Sequence, residues 1–204
     1  MKVDLKRELG TYAARAGRFD IVMVAPAQFL MIDGHGDPNT APAYAASLAT
    51  MYPVTYGLKF LSKIDLGRDY TVMPLEALWW ADDFESFTTT RDKSRWDWTL
   101  LNLIPPWLTP EHFDSVRERV ARKGTAPLLD KLRLESFDEG RCVQTLYVGP
   151  FDDEAAVLDR MHHEFIPTHG LRLTGRHHEI YLSDFRRVAP ERRRTILRQP
   201  ITDA

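Results

Sequence analysis

The sequence is poor in the residues from which cross-linked or metal-bound frameworks are built. It contains a single cysteine, Cys142, among 204 residues. One thiol cannot form a disulfide within the chain, and it argues against a zinc site made of cysteines. We therefore expect the fold to be held together by its hydrophobic core.

Long apolar runs and an excess of one charge are also missing. No run approaches the length of a membrane span, and the N-terminal MKVDLKRELG lacks the apolar stretch of a secretion signal. The 27 basic and 29 acidic residues leave a net charge of −2, so no overall field attracts nucleic acid or lipid. These absences predict a soluble, cytoplasmic protein that binds neither DNA nor membranes.

Motifs for the common cofactors are absent from the sequence as well. It has no phosphate-binding glycine loop, nucleophile elbow or HExxH motif, and GHGDP (34–38) lacks the glycine spacing of a dinucleotide site. His162 and His163 are adjacent on a predicted helix, where neighbouring side chains do not converge on one ion. We therefore expect neither a metal nor another cofactor.

Hydrophobic patterning predicts a mixed α+β domain, and an apolar content of 44% is enough for a large core. The predicted strands are 21–24, 29–33, 70–81, 96–104, 142–151, 174–187 and 192–201. The predicted helices are 3–15, 44–64 with a kink or restart at Pro53, 109–124 and 152–170, with 129–137 as an extension or a second short helix.

The order strand, helix, strand, strand occurs twice along the chain. FLMIDGHGDP (29–38) resembles LYVGPFDDE (146–154), and LEALWW (75–80) resembles HEIYLS (178–183), which aligns Glu76 with Glu179. The shared order predicts an internal duplication. We expect an N-terminal helix in 1–19, then modules at 20–107 and 140–201 joined by a helical segment at 109–137. Together they would form an antiparallel sheet with helices on one side and a cleft between the halves.

An acidic residue in the middle of a predicted strand is the main candidate for chemistry. Alternation in HHEIYLS puts Glu179 and Tyr181 on one face, and Ile180 and Leu182 on the other, towards the core beneath the helices. Glu179 would then point to the concave side, where burial raises a carboxyl pKa and suits it to acid–base work. A solvated edge strand explains the same pattern equally well.

Three further residues have both a functional and a structural interpretation. Glu76, in VMPLEALWW, is either a second pocket carboxylate or the partner of an arginine such as Arg95. The Tyr147 hydroxyl could reach a ligand, or the residue could be an ordinary half-buried tyrosine. Glu154 is an acid near the predicted cleft mouth, although its position at a helix start is sufficient to explain it.

All the tryptophans fall within residues 79–107. Such rings are core or interface residues, or they stack flat aromatic ligands in a cleft. The five residues are Trp79, Trp80, Trp96, Trp98 and Trp107.

Several motifs, in order, resemble those of the stand-alone GyrI-like small-molecule-binding proteins. They are FLMIDGHGDPN, MPLEALWW, WDWTLLNLIPP, CVQTLYVGPFDDE and GRHHEIYLSDFRR followed by RTILRQP. The resemblance covers 20–201 and implies two strand-helix-strand-strand (SHS2) modules around an aromatic cleft with a buried glutamate. Many members bind lipophilic, often cationic compounds, and some in this branch hydrolyse the strained cyclopropane of DNA-alkylating natural products.

The resemblance implies roles for individual residues of this chain. Glu179 is the pocket glutamate, and Glu76 or Tyr147 supplies a proton or hydrogen bond to the substrate carbonyl. The remaining candidates would bind an aromatic substrate, and they are Trp79, Trp80, Trp107, Tyr181 and Glu154.

Three hypotheses for function follow from the residues and the resemblance. The first is a hydrolase that adds water across an activated cyclopropane, with Glu179 acting on the water. The second is a protein that sequesters the same compounds without turnover. The third is a protein-interaction module that acts on a topoisomerase, which predicts an exposed apolar patch and no pocket. The helix-turn-helix of related regulators does not fit into residues 1–19, so we expect no DNA binding.

Overall fold

The computed structural model describes residues 2–82 and 92–204, which form a nine-stranded sheet with helices. The strands are β1 (Asp20–Val24), β2 (Ala27–His35), β3 (Leu75–Trp80), β4 (Asp97–Leu103), β5 (Arg133–Phe137), β6 (Gly140–Val148), β7 (Leu171–Leu173), β8 (His177–Tyr181) and β9 (Arg194–Asp203). The helices are α1 (Leu5–Glu8), α2 (Pro42–Ile64), α3 (Pro110–Ala121), α4 (Ala155–Asp159) and α5 (Ile166–Thr168), with a π-helical turn (Arg160–Phe165) joining the last two.

Two halves of the sheet have the same connectivity. In the first half β2, α2, β3 and β4 follow one another, and the strands lie in the order β2-β4-β3. In the second half β6, the helical segment 155–168, β8 and β9 give the order β6-β9-β8. Antiparallel pairing of β3 with β8 joins the halves into one sheet. The α+β fold class with a duplicated strand-helix-strand-strand arrangement is therefore confirmed.

Chain connectivity forces the sheet to curl. The strand order is β1-β6-β9-β8-β3-β4-β2-β5, so β1 and β2 lie near opposite ends. Only Ala25 and Pro26 separate them in the chain, a span that reaches about 11 Å at most. The two ends of the sheet must therefore come close together, which gives the sheet an inner and an outer face.

The long helix α2 covers the outer face. Its residues Met51, Val54 and Leu58 are fully buried against Leu100 and other residues of β2, β3 and β4. Pro53 was expected to kink or restart the helix, but the helix continues through this residue to Ile64. At Gly57 a side chain would lie 2.5 Å from Val116 of α3, so glycine permits the close packing of the two helices.

Two predicted helices are wrong in extent or type. The helix expected at 3–15 is limited to α1 and a 3₁₀ turn at Gly10–Tyr12. The helical segment expected at 129–137 contains strand β5, which pairs with β2. Arg133 of β5 binds Asp33 of β2 through two hydrogen bonds, so pairing with a neighbouring strand overrides the local helical pattern.

A buried chain of charged side chains fills part of the inner face. His178 Nε2 lies 3.0 Å from Glu76 Oε2, and His178 Nδ1 lies 2.9 Å from Glu139 Oε1. Arg198 donates to the other oxygen of Glu139 at 2.8 Å, and Tyr12 donates to Glu76 at 2.6 Å. The two carboxylates and two cations balance, so no net charge is buried.

The charge network also fixes the N-terminal segment on the sheet. Arg198 donates to the carbonyl of Thr11 at 2.7 Å, and Gln144 donates to that of Ala13 at 3.1 Å. Leu5 and Tyr12 pack beside these contacts in a cluster with Ile180. The segment before β1 therefore closes the inner face, although it has little regular secondary structure of its own.

The network determines the ionisation of His178. Burial alone would lower the pKa of this imidazole, but Glu139 and Glu76 outweigh burial and raise the pKa to about 9. Burial likewise raises the pKa of Glu139, but His178 and Arg198 outweigh it and bring the pKa to about 2. His178 is therefore an imidazolium at neutral pH, with a carboxylate oxygen within 3.0 Å of each ring nitrogen.

We predict that His178 makes the stability of the protein fall at alkaline pH. Its folded pKa of about 9 lies above the ordinary 6.5. The stabilisation, on the order of 3 kcal/mol, is therefore complete below pH 6.5 and lost as the pH rises through 9. Urea unfolding between pH 6 and 10 measures the effect.

The substitution His178→Asn should lower the free energy of unfolding by about 3–5 kcal/mol at pH 7, because two buried carboxylates lose their shared cation.

His35→Asn is the matched control, because His35 is exposed and lies outside the network. It should retain the alkaline loss of the unmodified protein. An unchanged alkaline slope in His178→Asn would show that His178 does not carry the linkage.

Candidate functional site

A cavity of about 760 Å³ lies over β3 and β8, between α2 and the helical segment 155–168. Tyr44 of α2 forms one side, and Leu158 and His162 form the other. The side chains that define its chemistry, apart from these, are Trp79, Lys93, Trp96, Phe151, Asp152, Glu154, Asp159, His163, Glu179, Tyr181, Phe185 and Arg193. The volume is in the range of sites that enclose a drug-sized molecule.

Strand alternation and register place two polar side chains on the floor of the cavity. Glu179 lies opposite Ala77 and Tyr181 lies opposite Leu75 in the β3–β8 pair. Ala77 and Leu75 belong to the core beneath α2, so this is the helix-covered face of the sheet. Our expectation that Glu179 points away from the helices is wrong, because Ile180 packs in the opposite cluster with Leu5 of the N-terminal segment.

A chain of hydrogen bonds orients the Glu179 carboxyl group. Trp79 donates its indole N–H to the Tyr181 hydroxyl at 3.1 Å, and Tyr181 donates to Glu179 Oε2 at 2.7 Å. The Glu179 side chain is 13% exposed. Its carboxyl group is therefore held in place but retains a small opening towards the cavity.

Burial raises the pKa of Glu179 to about 7, although Tyr181, His178 and Lys93 oppose the shift by stabilising the anion. His177 Nε2 lies 3.7 Å from Glu179 Oε1, but burial lowers the pKa of His177 to about 3. His177 is therefore neutral and does not act as the cation that would hold Glu179 ionised. At neutral pH the carboxyl group exists in both protonation states.

The π-helical turn places a second neutral histidine at the cavity. His162 lies on this turn, and its ring centroid is 6.2 Å from that of His177. Burial lowers the pKa of His162 to about 4. His162 therefore adds a neutral imidazole to the cavity lining, and His177 lies next to Glu179 without a positive charge.

Aromatic rings form the wall above the carboxyl group. The rings of Tyr44 and Trp79 are nearly parallel at 6.3 Å, and Trp96 packs edge-on against Trp79 at 5.7 Å. On the other side Phe151 packs edge-on against Tyr181 at 5.5 Å. A flat apolar ligand between these walls would bury its faces against rings and keep one edge near Glu179.

Charged groups near the mouth connect the two halves of the fold. Lys93 Nζ lies 2.6 Å from Asp152 Oδ1, which joins the segment before β4 to the segment after β6. Glu154 also lines the cavity and is only 4% exposed. Arg193 lies over the Phe151 ring, with its guanidinium carbon 5.1 Å from the ring centroid. The mouth is therefore polar, whereas the walls are aromatic.

The cavity contains four of the eight residues that the sequence suggested. Glu179, Tyr181, Trp79 and Glu154 line it. Glu76 lies on the inner face, where it contacts His178 and Tyr12 rather than Arg95. The expectation that Glu76 and Glu179 share one pocket is therefore wrong.

The other three predicted residues bind elsewhere in the fold. Tyr147 donates its hydroxyl to the carbonyl of Pro150 at 2.9 Å. Trp107 donates to Ser62 of α2 at 2.9 Å. Trp80 stacks with Arg176, whose guanidinium carbon is 3.6 Å from the ring centroid. None of the three is among the residues that line the cavity.

Sequence reasoning missed several residues of the cavity. Tyr44 and Phe151 gave no local signal, because their place depends on how the helices pack over the sheet. Lys93 precedes β4 and gave no signal of its own, whereas Trp96, two residues before Trp98, was expected only as one of five tryptophans. Only the fold shows that these side chains surround Glu179.

The described part of the chain contains no group of three or more His, Cys, Asp or Glu side chains placed to hold a metal ion. Within residues 2–82 and 92–204 no helix is both long and apolar enough to cross a bilayer. The polar groups that line the cavity among the described residues are carboxyl, hydroxyl, indole, imidazole, guanidinium and ammonium groups.

Two proteins from Listeria innocua have solved structures similar to this chain. An uncharacterized conserved protein is 36% identical, with a TM-score of 0.88, over 98% of this chain and all of the relative. A hydrolase is 34% identical, with a TM-score of 0.84 and the same coverage. The C-terminal domain of EcmrR is only 8% identical at a TM-score of 0.56, which shows a shared fold alone.

No protein with a curated description matches the chain. The model of the GyrI-like small molecule binding domain matches residues 18–201, which is nearly the whole chain. Together with the two Listeria relatives, this match establishes the family. The chain belongs to the GyrI-like small molecule binding domain family.

Proposed function

We propose that the protein binds a flat aromatic molecule in the cavity and hydrolyses an activated cyclopropane that the molecule carries. The observation that carries the proposal is the Glu179 carboxyl group, with a pKa of about 7, on the floor of an aromatic cavity of about 760 Å³. A group of this pKa accepts a proton from water near neutral pH.

Binding would rest on the aromatic walls. Tyr44, Trp79 and Trp96 provide ring surface on one side, and Phe151 provides it on the other. A flat substrate held between them keeps its reactive ring beside Glu179, so the cavity supplies orientation as well as affinity. Ring strain in a cyclopropane lowers the barrier that the protein must overcome.

The reaction consumes one water molecule and breaks one carbon–carbon bond. Glu179 takes a proton from water as the water oxygen attacks a ring carbon. The electron pair of the broken bond moves into the conjugated carbonyl group, which becomes an enolate or phenolate and is then protonated. The product is the ring-opened alcohol, and its atoms equal those of substrate plus water.

Two kinds of support come from beyond the cavity itself. A relative that is 34% identical is a hydrolase from Listeria innocua, and the family binds small molecules. A cavity of this size in the described residues favours a small-molecule site over a protein-interaction module. Sequestration without turnover uses the same cavity and is separated from hydrolysis by product analysis.

Product analysis of a cyclopropane-bearing aromatic alkylator tests the proposal. Purified protein should convert the compound to an adduct 18 Da heavier, the mass of one water, as measured by mass spectrometry. Glu179→Gln keeps an oxygen that accepts from Tyr181 but cannot take a proton. We expect its rate to fall by about 10²–10⁴-fold while fluorescence titration shows that the compound still binds.

Glu76→Gln is the matched control, because Glu76 is buried on the opposite face of the same strand pair. It should weaken folding but not remove turnover in the folded fraction. Tight binding of an unchanged compound by the unmodified protein would establish sequestration instead of hydrolysis.

The buried carboxyl group should also reduce stability at neutral pH. Because its folded pKa of about 7 exceeds the ordinary 4.5, Glu179 costs no stability at low pH, where it is neutral in both folded and unfolded chains. Ionisation above pH 7 costs up to about 3 kcal/mol. Glu179→Gln should therefore unfold at higher urea than the unmodified protein at pH 8, with the gain vanishing near pH 4. Equal stability at both pH values would mean that the carboxyl group is solvated.

A further inference from the structure

The proposed ring opening requires one further group, a donor to the substrate oxygen, which Glu179 does not supply. Negative charge develops on the substrate carbonyl oxygen, and it requires a hydrogen-bond donor or cation close by. Glu76 and Tyr147 were expected to supply this group, but they lie outside the cavity. The donor must come from another residue of the lining.

Two basic side chains other than histidine line the cavity among the described residues, Lys93 and Arg193. The guanidinium of Arg193 already donates to the carbonyls of Val188 and Phe185, at 3.3 and 3.1 Å. These bonds hold the loop between β8 and β9, and a guanidinium does not give up a proton, so Arg193 is unsuited to protonate the substrate. The ammonium of Lys93 donates to Asp152, and since an ammonium has three N–H groups, this contact does not exhaust it.

We infer that Lys93 binds and protonates the carbonyl oxygen of the substrate as the cyclopropane opens. This inference rests on the proposed hydrolysis. It assigns Lys93 a catalytic role opposite Glu179, so the substrate lies with its cyclopropane at the floor and its carbonyl near the mouth. The substrate class is thereby narrowed to aromatic compounds whose cyclopropane is conjugated to a carbonyl at the far edge.

The placement of Lys93 supports this role. Its side chain is 21% exposed, and its Nζ lies 5.8 Å from the centroid of Trp96, a ring of the aromatic wall. The charge of Lys93 also reaches the Glu179 carboxyl group, since it is one of the groups that oppose the rise in the pKa of Glu179. An ammonium at the edge of an aromatic cavity acts more strongly on a developing oxyanion than one in bulk water.

Asp152 has a positioning role in this arrangement. It holds the Lys93 ammonium at 2.6 Å while remaining 75% exposed itself, so it restrains the lysine from the solvent side. The ion pair spans the two repeats of the fold. The cavity is therefore complete only when the two repeats pack against each other.

Residues of the cavity and one water molecule account for every proton and electron pair that moves in the reaction. As the water oxygen bonds to the ring carbon, Glu179 takes one water proton and the broken bond's electron pair moves to the carbonyl oxygen. Lys93 gives that oxygen a proton and becomes a neutral amine. Proton transfer from Glu179 to Lys93 through water restores both groups, so the reaction needs no further reactant.

Steady-state kinetics with the cyclopropane alkylator test the role of Lys93. Lys93→Met should reduce kcat by about 10²-fold with little change in KM, because the lost contact strengthens only in the transition state. Lys93→Arg keeps the positive charge, but its guanidinium does not give up a proton, so it should recover only part of the rate. Lys123→Met is the control, since Lys123 is an exposed lysine that does not line the cavity. A kcat for Lys93→Met equal to that of Lys123→Met would overturn the role of Lys93. If turnover is lost in Glu179→Gln but not in Lys93→Met, the proposed hydrolysis is still supported and only the role of Lys93 fails.

A spectroscopic titration tests the same site without turnover. The probe is 4-nitro-1-naphthol, a flat phenol whose anion absorbs visible light. Bound to the unmodified protein, its pKa should lie about 1–3 units below the value bound to Lys93→Met, because an adjacent ammonium favours the phenolate. Equal bound pKa values in the two proteins would overturn the oxyanion role of Lys93 whether or not the alkylator is hydrolysed.

Discussion

The ion pairs of His178 on the inner face are the interaction on which the rest of the structure depends. They join β3, β8 and the turn before β6, and through Arg198 they hold the N-terminal segment over the curled sheet. Because successive residues of a strand point to opposite faces, the neighbouring His177 lies on the cavity side. One imidazole is therefore charged between two carboxylates, and the adjacent one is buried and neutral. The same two residues stabilise one face and place a neutral imidazole next to Glu179 on the other.

The cavity exists because the two repeats are covered by separate helices. Helix α2 packs on β2, β3 and β4, and the segment 155–168 packs with Val143 and Leu197 of the second half. Over the β3–β8 junction neither helix fills the space, so aromatic rings from both halves surround it. Because each half of the duplicated fold buries its own core, an interior site remains at the junction between the two halves. Its floor is rigid because it belongs to the centre of the sheet.

The sequence predicted most of the strands and the duplication, because these depend on local alternation or on order along the chain. It failed for Glu76 because the motif alignment placed Glu76 and Glu179 on the same face of the sheet. In the structure Ala77 and Trp79 share the face of Glu179 and Tyr181, and Ala77 is the cross-strand neighbour of Glu179. A slip of one residue moves a side chain to the other face of a sheet, and pairing between distant strands cannot be read from composition. The same non-local pairing converted the expected helix at 129–137 into β5.

The presence of Ala77 rather than a second acid opposite Glu179 determines how the carboxyl group is tuned. Two adjacent carboxylates would raise one pKa by repulsion and fix a shared proton, as in an acid dyad. Here desolvation is the main cause of the shift, with Tyr181 and two cations limiting it to about 7. The group therefore spends comparable time with and without its proton near neutral pH, which suits a step that takes a proton from water and later returns it.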